Sequence, residues 1–594
     1  MTLLEVQGLR VAFGKGPDAV EVVRGVDFCV GEGEAVGMVG ASGCGKSVTA
    51  LSLMGLLPPR VSRVSSGSSI RFQGRELVGM PARRLRRYRG RGIAMVFQEP
   101  MTSLNPVHSV GRQVAEAVRA GGQVRSRREA WARAVELLAE VGIPDPGRRA
   151  RDLPHQFSGG MRQRVGIAMA LAPDPNLLVA DEPTTALDVT IQARILELLE
   201  ALLASRDMSL LLISHDLAVV ARSCGRVLVM DGGRLVEEGP VEALFSAPRH
   251  PVTRTLVEAV PGSPASVADA AASPFRTASA SFPRGLPSGG EGDGGDGGGD
   301  GEGGDGAGGL PILEAVDLVK HFPRSRSPWF TPRRAEASDS PGPGTAPSGS
   351  DALRAVDGVS LALHPGRTLA LVGESGAGKT TVARCLLRLV EADGGQILFR
   401  GRPVGAMAPP ELRAFRRQVQ LVFQDPSGSL NPRLSVGSAL DEVLRVHGLA
   451  GDARGRAHRV GDLLERVGLP GGYRSRLPHQ LSGGERQRVG IARALAVEPR
   501  ILICDEPVSS LDVHVRRRIL DLLMDLRREL DLACLLIAHD LGVVAELADR
   551  VAVMYLGRVL EEGPVERVLG DPRHPYTRAL LAAVPRWEPR RPEG

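Results

Sequence analysis

Two copies of one short motif constrain the fold of this chain more than any other feature. Residues 40–47 read GASGCGKS and residues 373–380 read GESGAGKT, so both match the pattern GxxxxGK[ST]. Each copy follows an apolar run and precedes a helical pattern. In such a loop the glycines let the backbone wrap phosphate groups, the lysine neutralises phosphate oxygens, and the Ser or Thr hydroxyl completes a Mg²⁺ shell. The sequence therefore predicts two nucleotide sites, and the predicted phosphate-binding residues are Gly40, Ser42, Gly43, Cys44, Gly45, Lys46, Ser47, Gly373, Ser375, Gly376, Ala377, Gly378, Lys379 and Thr380.

The chain is a tandem duplication, because motifs recur at a nearly constant spacing. Lys379 lies 333 residues after Lys46, and Asp505 lies 324 residues after Asp181. We expect one domain at residues 1–261 and a second at 310–585, followed by a tail at 586–594. Residues 262–309 change from Ser/Ala/Pro to nearly pure Gly, Asp and Glu, and residues 324–350 are also of low complexity. Such segments bury too little apolar surface to fold, so we predict a disordered linker and a disordered insert.

Within each half, short apolar runs alternate with helical patterns. Residues 177–180 and 501–504 end on acidic pairs, and residues 210–213 and 535–537 end just before a histidine. Continuous apolar strands are typical of a parallel sheet buried on both faces, with the site at the carboxyl ends of the strands. The predicted fold class is therefore α/β, with two P-loop domains in tandem. The arginine-rich segments 110–142 and 436–468 have a helical pattern and predict a small helical subdomain in each half.

The acidic pairs are placed for phosphoryl-transfer chemistry. Asp181 and Asp505 close their strands and are predicted to hold Mg²⁺, while Glu182 and Glu506 are placed to orient or deprotonate an attacking water. A solvated acidic turn is the alternative, but a buried apolar strand rarely ends on two carboxylates without a partner for them.

A third duplicated motif is Ser158-Gly159-Gly160 and Ser482-Gly483-Gly484, each just before a helical pattern. A helix N-terminus exposes backbone N–H groups and the positive end of the helix dipole, and glycines leave the approach open. One such tripeptide alone would be read as a capped surface helix. Two copies, each between a P-loop and an acidic strand end, predict an anion-facing helix tip in each half.

Composition narrows the possible classes of protein but does not decide between them. The net charge of +6 is compatible with nucleic acid, a membrane surface, or neither. Only four of the 74 basic residues are lysine, and two of those four are the P-loop lysines, where a guanidinium is not equivalent to an ammonium. The six scattered cysteines predict buried, reduced thiols in a cytoplasmic protein. The N-terminus lacks the pattern of a signal peptide and no apolar run reaches the roughly 18–20 residues of a membrane helix, so we expect a soluble chain.

The order of the motifs resembles that of ABC-type ATPases in both halves. After each P-loop come a glutamine (Gln98, Gln424), the SGG motif, the acidic pair, a Leu-Asp (Asp188, Asp512) and a histidine (His215, His539). This resemblance implies an antiparallel β subdomain beside each core sheet, and ATP with Mg²⁺ as ligands. Mg²⁺ would be held by Ser47, Gln98 and Asp181 in the first half and by Thr380, Gln424 and Asp505 in the second. Both histidines would contact the γ-phosphate, and both glutamines would also link to a transport subunit.

The resemblance further implies a head-to-tail pairing of the two domains. Each ATP would then lie between the P-loop of one half and the SGG motif of the other, so that Ser482 and Gly484 face the nucleotide held by Lys46. Phe13 and Phe322 lie where the family stacks an aromatic ring on adenine. The alternative for each phenylalanine is an ordinary core residue of a strand.

Two more stretches are similar to the dipeptide/oligopeptide/nickel branch of importer ATPases, and especially to its fused twin members. They are Ser-Leu-Asn-Pro, at 103–106 and 429–432, and His-Pro-x-Thr-Arg, at 250–254 and 574–578. Singly, Asn-Pro makes a turn and His-Pro caps a helix. The branch implies two integral membrane permeases, an extracytoplasmic solute-binding protein and a peripheral position at the cytoplasmic face of the cell membrane. Some relatives carry a cysteine cluster after the first His-Pro stretch, but residues 261–309 contain no cysteine, so we predict no iron–sulfur cluster.

Two other classes of function remain open from the sequence. A twin ATPase acting on ribosomes or nucleic acid would suit the basic charge, although the Gly/Asp-rich linker and the absence of zinc-type cysteine modules disfavour it. A non-hydrolysing scaffold is disfavoured by the complete glutamate and histidine sets. The solute cannot be read from this chain, because specificity lies in partner proteins.

Overall fold

The molecule is described by a computed structural model that covers most of both predicted domains. The described residues are 1–14, 16, 19–98, 103–122, 124–184, 188–258, 260, 310–323, 352–424, 426–508, 511 and 513–584. They form two compact units, which lie mainly at 1–260 and 310–582. The predicted linker 262–309, insert 324–350 and tail 586–594 fall outside the described residues, so the predicted domain boundaries stay predictions.

The first unit contains strands and helices that alternate along the chain. Its strands are β1 (Thr2–Phe13), β2 (Val20–Gly31), β3 (Ala35–Gly40), β4 (Ser62–Val64), β5 (Ser69–Phe72), β6 (Arg75–Glu76), β7 (Ile93–Val96), β8 (Leu177–Asp181), β9 (Ser209–Ser214), β10 (Arg226–Asp231) and β11 (Arg234–Pro240). Its helices are α1 (Lys46–Leu53), α2 (Ala82–Leu85), α3 (Val110–Ala120), α4 (Arg127–Glu140), α5 (Pro146–Arg149), α6 (Gly159–Leu171), α7 (Val189–Arg206), α8 (Leu217–Ser223), α9 (Val241–Ser246) and α10 (Pro251–Glu258).

Two sheets organise the first unit. The described strands of the core sheet follow the order β11-β10-β3-β9-β8-β7, and all neighbours in it are parallel except β10 and β11. The second sheet is antiparallel, with the order β2-β1-β5-β6 and with β4 also paired to β1. The P-loop strand β3 therefore lies in the middle of the core sheet, beside the strand that ends before His215.

Alternation along β8 shows how the core sheet is buried on both faces. Leu177 and Val179 pack with the antiparallel sheet and α1, whereas Leu178 and Ala180 pack with the helices on the other face. All four side chains are fully buried. Since burying a Val or Leu side chain contributes about 1.5–3 kcal/mol, this sandwiching holds the strand, and the acidic pair at its end, firmly in place.

The predicted helical subdomain is formed by α3 and α4, which pack on α6. Val114, Val118 and Leu137 face inward and are fully buried. Ser126 caps α4 by accepting a hydrogen bond from the backbone N–H of Glu129 at 3.1 Å.

The second unit repeats this plan. Its strands are β12 (Leu313–Pro323), β13 (Ala352–Leu363), β14 (Thr368–Val372), β15 (Gly394–Phe399), β16 (Arg402–Pro403), β17 (Val419–Val422), β18 (Ile501–Asp505), β19 (Ala533–Ala538), β20 (Arg550–Tyr555) and β21 (Arg558–Pro564). Its helices are α11 (Lys379–Leu386), α12 (Pro409–Gln418), α13 (Pro426–Ser429), α14 (Val436–Val446), α15 (Ala453–Arg466), α16 (Gly483–Leu495), α17 (Val513–Leu530), α18 (Leu541–Leu547), α19 (Val565–Gly570) and α20 (Pro575–Ala582).

The topology of the second unit matches that of the first. Its core sheet has the order β17-β18-β19-β14-β20-β21 and its antiparallel sheet the order β13-β12-β15-β16. Helices α14 and α15 form the second helical subdomain and are capped by Ser435 and Asp452. The predicted α/β class, with a mostly parallel core sheet, an antiparallel sheet and a helical subdomain in each half, is therefore confirmed.

The cysteine prediction needs a correction. Cys29 is exposed and Cys534 is half-buried, whereas the other four are buried. Cys29 lies on β2, where Phe28 and Val30 point into the core, and strand alternation places the residue between them on the solvent side. None of the six cysteines, all of which lie among the described residues, forms a disulfide.

Among the described residues, no helix combines the length and the apolar character that crossing a lipid bilayer requires.

Candidate nucleotide-binding and hydrolysis sites

Both P-loops leave the carboxyl end of a central strand and enter a helix. A Cβ atom at Gly40 would lie 2.2 Å from the carbonyl oxygen of Met230, and one at Gly373 would lie 2.1 Å from that of Met554. No side chain fits at these distances, so the first glycine of each loop is required by the close approach of the neighbouring strand. The loop then closes within a few residues and presents its backbone to one side.

The P-loop lysines are buried and fold back onto their own loops. Lys46 Nζ donates to the carbonyl oxygens of Gly40 and Ala41 at 2.8 and 3.0 Å. Lys379 Nζ donates in the same way to Gly373 and Glu374, at 2.7 and 2.9 Å. Each lysine is thus only 5% exposed, with its ammonium group beside the loop that is predicted to bind phosphate.

The hydroxyl that follows each lysine contacts the strand-end aspartate. Ser47 Oγ donates to Asp181 Oδ1 at 3.1 Å, and Thr380 Oγ1 donates to Asp505 Oδ1 at 3.2 Å. Burial, reinforced by the charge of Glu182, raises the pKa of Asp181 to about 6, and burial likewise raises the pKa of Asp505. A half-buried hydroxyl and a buried carboxylate are oxygen ligands of the kind that Mg²⁺ takes from proteins, with phosphate oxygens and waters completing its shell.

The predicted glutamate, glutamine and histidine meet at each site. Gln98 Nε2 donates to Glu182 Oε2 at 2.9 Å, and His215 Nδ1 lies 3.4 Å from the same oxygen. In the second half Gln424 Nε2 donates to Glu506 Oε2 at 2.7 Å, and His539 Nδ1 lies 3.4 Å away. Each glutamine amide thus donates to the neighbouring glutamate carboxylate and can orient it.

The two glutamates are held at an unusual backbone conformation. Glu182 and Glu506 have φ values of 47° and 46°. Their N–H groups donate to Ile213 and Ile537 at 2.9 Å, which extends the sheet by one bond before the chain turns. Burial alone would raise the pKa of Glu506, but the hydrogen bond and charge of His539, together with nearby Lys379, lower it below its usual value. The Glu506 carboxylate is therefore ionised at neutral pH.

Each SGG motif begins a helix, as the sequence predicts. Ser158 and Ser482 are exposed N-caps whose hydroxyls accept hydrogen bonds from the N–H groups of Met161 and Glu485. In the second half alone, Glu485 returns the bond by accepting from the N–H of Ser482 at 2.7 Å, which completes a capping box.

The second glycine of each motif has a packing role that the sequence analysis missed. Gly160 and Gly484 are buried, and a Cβ there would lie 2.5 Å from Ile191 Cγ2 or 2.1 Å from Val515 Cγ1. The small residue therefore lets the SGG helix approach the next helix, and only Ser158, Gly159, Ser482 and Gly483 are exposed.

The aromatic candidates for adenine differ in exposure. Phe13 ends β1, is half-buried and packs against the core cluster of the first unit. Phe322 lies near the end of β12, is 37% exposed, and has Lys320 Nζ 5.5 Å from its ring centroid. Their role as adenine platforms stays a prediction.

Each His-Pro stretch is anchored by a glutamate carboxylate, which is half-buried in the first unit and buried in the second. Glu237 accepts from the N–H groups of Arg249 and His250, both at 2.9 Å, and Glu561 does the same for Arg573 and His574 at 2.9 and 3.1 Å. Burial raises the pKa of Glu561, but its interactions with Thr577, the two backbone N–H groups and Arg567 outweigh burial and leave the pKa below its usual value. The motif thus fixes the start of the last helix of each unit.

An apolar groove lies beside Gln98 in the first unit. It has a volume of about 230 Å³ and is lined by Met54, Met95, Phe97 and Met169, among others. Phe97 is 42% exposed and its counterpart Phe423 is 46% exposed. In the second unit the position of Met169 is taken by Arg493, whose guanidinium donates to the carbonyl of Ser429.

Comparison of the two halves position by position would have found the residues that motif reading missed. Arg493, Glu485 and Tyr576 correspond to Met169, Met161 and Val252. Tyr576 stands at the variable position of His-Pro-x-Thr-Arg and Glu485 directly follows the second SGG motif, and neither residue type is specified by its motif.

Known proteins share these features. Residues 23–185 and 356–509 match the family described as ABC transporter, and residues 236–272 and 560–594 match the oligopeptide/dipeptide transporter C-terminal region. The glutathione import ATP-binding protein of Salmonella typhimurium (strain LT2) is 46% identical over 594 residues, which cover 99% of this chain and 90% of that protein. The protein of the same description from Escherichia coli (strain K12) is 45% identical over 593 residues, with the same coverage. Among solved structures, a dimeric post-hydrolysis state of an ATP-binding cassette bound to ADP and Pi aligns with 43% of this chain and 99% of its own, at 24% identity and a TM-score of 0.36.

Proposed function

The chain belongs to the ABC transporter family, in its oligopeptide/dipeptide branch, and we propose that it hydrolyses ATP to power the uptake of glutathione or another short peptide. Two relatives that align over nearly the whole chain are described as glutathione import proteins, which supports this class of solute. The family assignment favours the transporter over the ribosome- or nucleic-acid-directed alternative.

The observation that carries hydrolysis is the repeated contact set around Glu182 and Glu506. In both halves one carboxylate oxygen meets the glutamine amide and the histidine ring at nearly identical distances. Such a carboxylate accepts a proton from water as the water oxygen attacks the γ-phosphorus, and the bond to the β-phosphate oxygen breaks to release ADP. Because the set is complete twice, we propose two hydrolytic sites.

Mg²⁺ fits the oxygen pair at each strand end. Ser47 and Asp181 would hold it in the first half, and Thr380 and Asp505 in the second. The ion supplies charge neutralisation to the phosphate oxygens. The positive charge of Mg²⁺ would also lower the raised pKa of Asp181, so that its carboxylate would be ionised at neutral pH.

We further propose that each ATP is shared between halves, with the Lys46 site completed by Ser482 and by the exposed Gly483, in place of Gly484, which the sequence indicated but which is buried against Val515. The exposure of Ser158, Gly159, Ser482 and Gly483 supports this, because the N-terminus of a helix favours an anion and these residues lie at its surface. Ser482→Arg should then impair turnover at the Lys46 site and leave binding of nucleotide there largely intact. Loss of binding at that site would contradict the shared arrangement.

The partners are proposed to be two integral membrane permeases and an extracytoplasmic solute-binding protein, with this chain on the cytoplasmic face. The apolar groove next to Gln98 supports a permease contact, because it places an exposed aromatic ring beside the group that orients the catalytic glutamate. A contact there can reach Glu182 through one hydrogen bond.

Affinity purification from membranes tests the assignment. Two integral membrane proteins should co-purify with the full chain, and proteoliposomes of that complex should take up glutathione or a dipeptide only with ATP. Co-purification of ribosomes or DNA in their place would overturn the transporter assignment. Uptake without ATP turnover, or with both Glu182 and Glu506 changed to Gln, would overturn the coupling.

A further inference from the structure

A tyrosine from the last helix contacts the second P-loop. The N–H of Glu374 donates to the hydroxyl oxygen of Tyr576 at 3.2 Å. Glu374 is the second residue of the loop, and Tyr576 lies on α20, 202 residues later in the chain. The C-terminal helix is thus tied directly to the predicted phosphate-binding loop.

Tyr576 is itself held in place from two sides. Its N–H donates to His574 Nδ1 at 3.1 Å, at a helix start that Glu561 anchors. Its ring packs against that of Tyr555, with centroids 4.4 Å apart and planes at 40°. Tyr555 ends β20, the parallel neighbour of the P-loop strand β14, so the ring rests on the framework that carries the loop. A hydroxyl held this way has little freedom to move with the loop.

Glu374, like Gly373, is a residue of the loop that would lose a contact if Lys379 turned to a phosphate. Its carbonyl accepts from Lys379 Nζ at 2.9 Å and from the N–H of Ala377 at 3.1 Å. When the ammonium turns to phosphate, Glu374 loses one of these bonds. The Tyr576 hydroxyl remains and keeps the start of the loop in place, which lowers the ordering cost of binding.

The first half lacks this contact, although its loop is otherwise alike. Val252 stands at the position of Tyr576, and Asp231 at that of Tyr555. Lys46 makes the same pair of bonds to carbonyls as Lys379, within about 0.1 Å. The Tyr576 hydroxyl therefore gives the second loop a contact that the first loop lacks, although the lysine contacts of the two loops agree.

We propose that Tyr576 is a positioning residue that pre-organises the second P-loop, so that the Lys379 site binds ATP more tightly than the Lys46 site. The inference rests on the proposed function, since it requires that both loops bind nucleotide.

The test isolates each site in the full-length protein. Lys46→Ala leaves the second site and Lys379→Ala leaves the first, and binding of Mg²⁺ with a non-hydrolysable ATP analogue is measured by calorimetry. Tyr576→Phe removes only the hydroxyl. It should weaken binding in the Lys46→Ala background about two- to tenfold, the factor that a lost hydrogen bond of about 0.5–1.5 kcal/mol gives. In the Lys379→Ala background it should change nothing.

Two controls separate positioning from folding. Tyr555→Phe keeps the ring stack and the Tyr576 hydroxyl, so it should bind nucleotide as the parent does. The melting temperature of Tyr576→Phe should match that of the parent, and in the Lys46→Ala background its KM for ATP should rise with kcat nearly unchanged.

Unchanged affinity at the second site, or equal loss at both sites, would overturn the role of Tyr576 while leaving the proposed ATPase intact. If the wild-type chain bound no nucleotide at all, the proposed function would fall, and this inference with it.

Discussion

Gly484→Ala tests whether the second glycine of the SGG motif is required by packing or by a ligand. The added methyl group would lie 2.1 Å from Val515 Cγ1, and the next atoms of that side chain would be at 3.5 and 3.8 Å. The clash therefore concerns a single methyl group on the facing helix. Gly490, in the same helix, has nothing within 4 Å of its Cβ position and provides a matched control.

The expected energies follow from these distances. Overpacking costs about 1–3 kcal/mol, and alanine in place of a helical glycine gains about 0.5–1 kcal/mol. Gly484→Ala should therefore lower the free energy of unfolding by about 1 kcal/mol at mid-range, whereas Gly490→Ala should raise it by about 0.5–1 kcal/mol. Val515→Ala removes the obstructing methyl group, so the pair should couple favourably by about 1–3 kcal/mol.

Thermal unfolding of the four variants and the parent gives the double-mutant cycle. A change of 1 kcal/mol corresponds to about 2–4 °C in a domain of this size. The Cβ position of Gly484 points at α17. The variant that carries both Gly484→Ala and Val515→Ala should therefore regain the stability of the parent and have the same ATPase activity per folded molecule.

Two results would refute this reasoning. If Gly484→Ala proved as stable as Gly490→Ala, the contact with Val515 would not constrain the helix. If the double variant were stable but inactive, the glycine would be required by the nucleotide rather than by the fold.

Three further experiments address the remaining features. Glu182→Gln and Glu506→Gln should each cut turnover at their own site ~10²–10⁴-fold, because each removes a general base, and full ATPase activity in either single variant would rule out two hydrolytic sites. Glu561→Gln should destabilise the second unit at pH 7, because the pKa of Glu561 in the folded state lies below the unfolded value of 4.5. The difference in melting temperature between the parent and this variant should be complete above pH 4.5. It should vanish as the pH falls through the pKa of the folded state. Met169→Arg should fold, because Arg493 occupies the equivalent position, and should reduce co-purification of a permease with basal ATPase activity unchanged; full co-purification would show that the groove is not the contact.

The candidate site residues could be predicted from the sequence because their chemistry fixes residue type and spacing. A phosphate loop needs glycines and a lysine in one short run, so Lys46 and Lys379 could be proposed from the sequence alone. The buried strand ends likewise identified Asp181 and Asp505, which the structure brings within 3.1 and 3.2 Å of the P-loop hydroxyls.

The parts that escaped prediction depend on contacts between distant segments. The bond between Glu374 and Tyr576 joins residues 202 positions apart, and no local pattern marks either one as a partner of the other. The packing role of Gly484 depends on how closely two helices approach, which periodicity does not specify. The exposure of Cys29 followed from strand alternation, which outweighs the general tendency of cysteine to be buried.

The left-handed backbone at Glu182 and Glu506 has a consequence for protein engineering. A glutamate at φ near +47° carries a cost of about 1 kcal/mol or more that glycine, and to a lesser degree asparagine, would avoid. Substitutions that relax the backbone there would raise the melting temperature and remove the base in the same step. Selection of a library for heat resistance alone should therefore enrich inactive variants at these two positions, and a screen for a robust version of this protein must score turnover alongside survival.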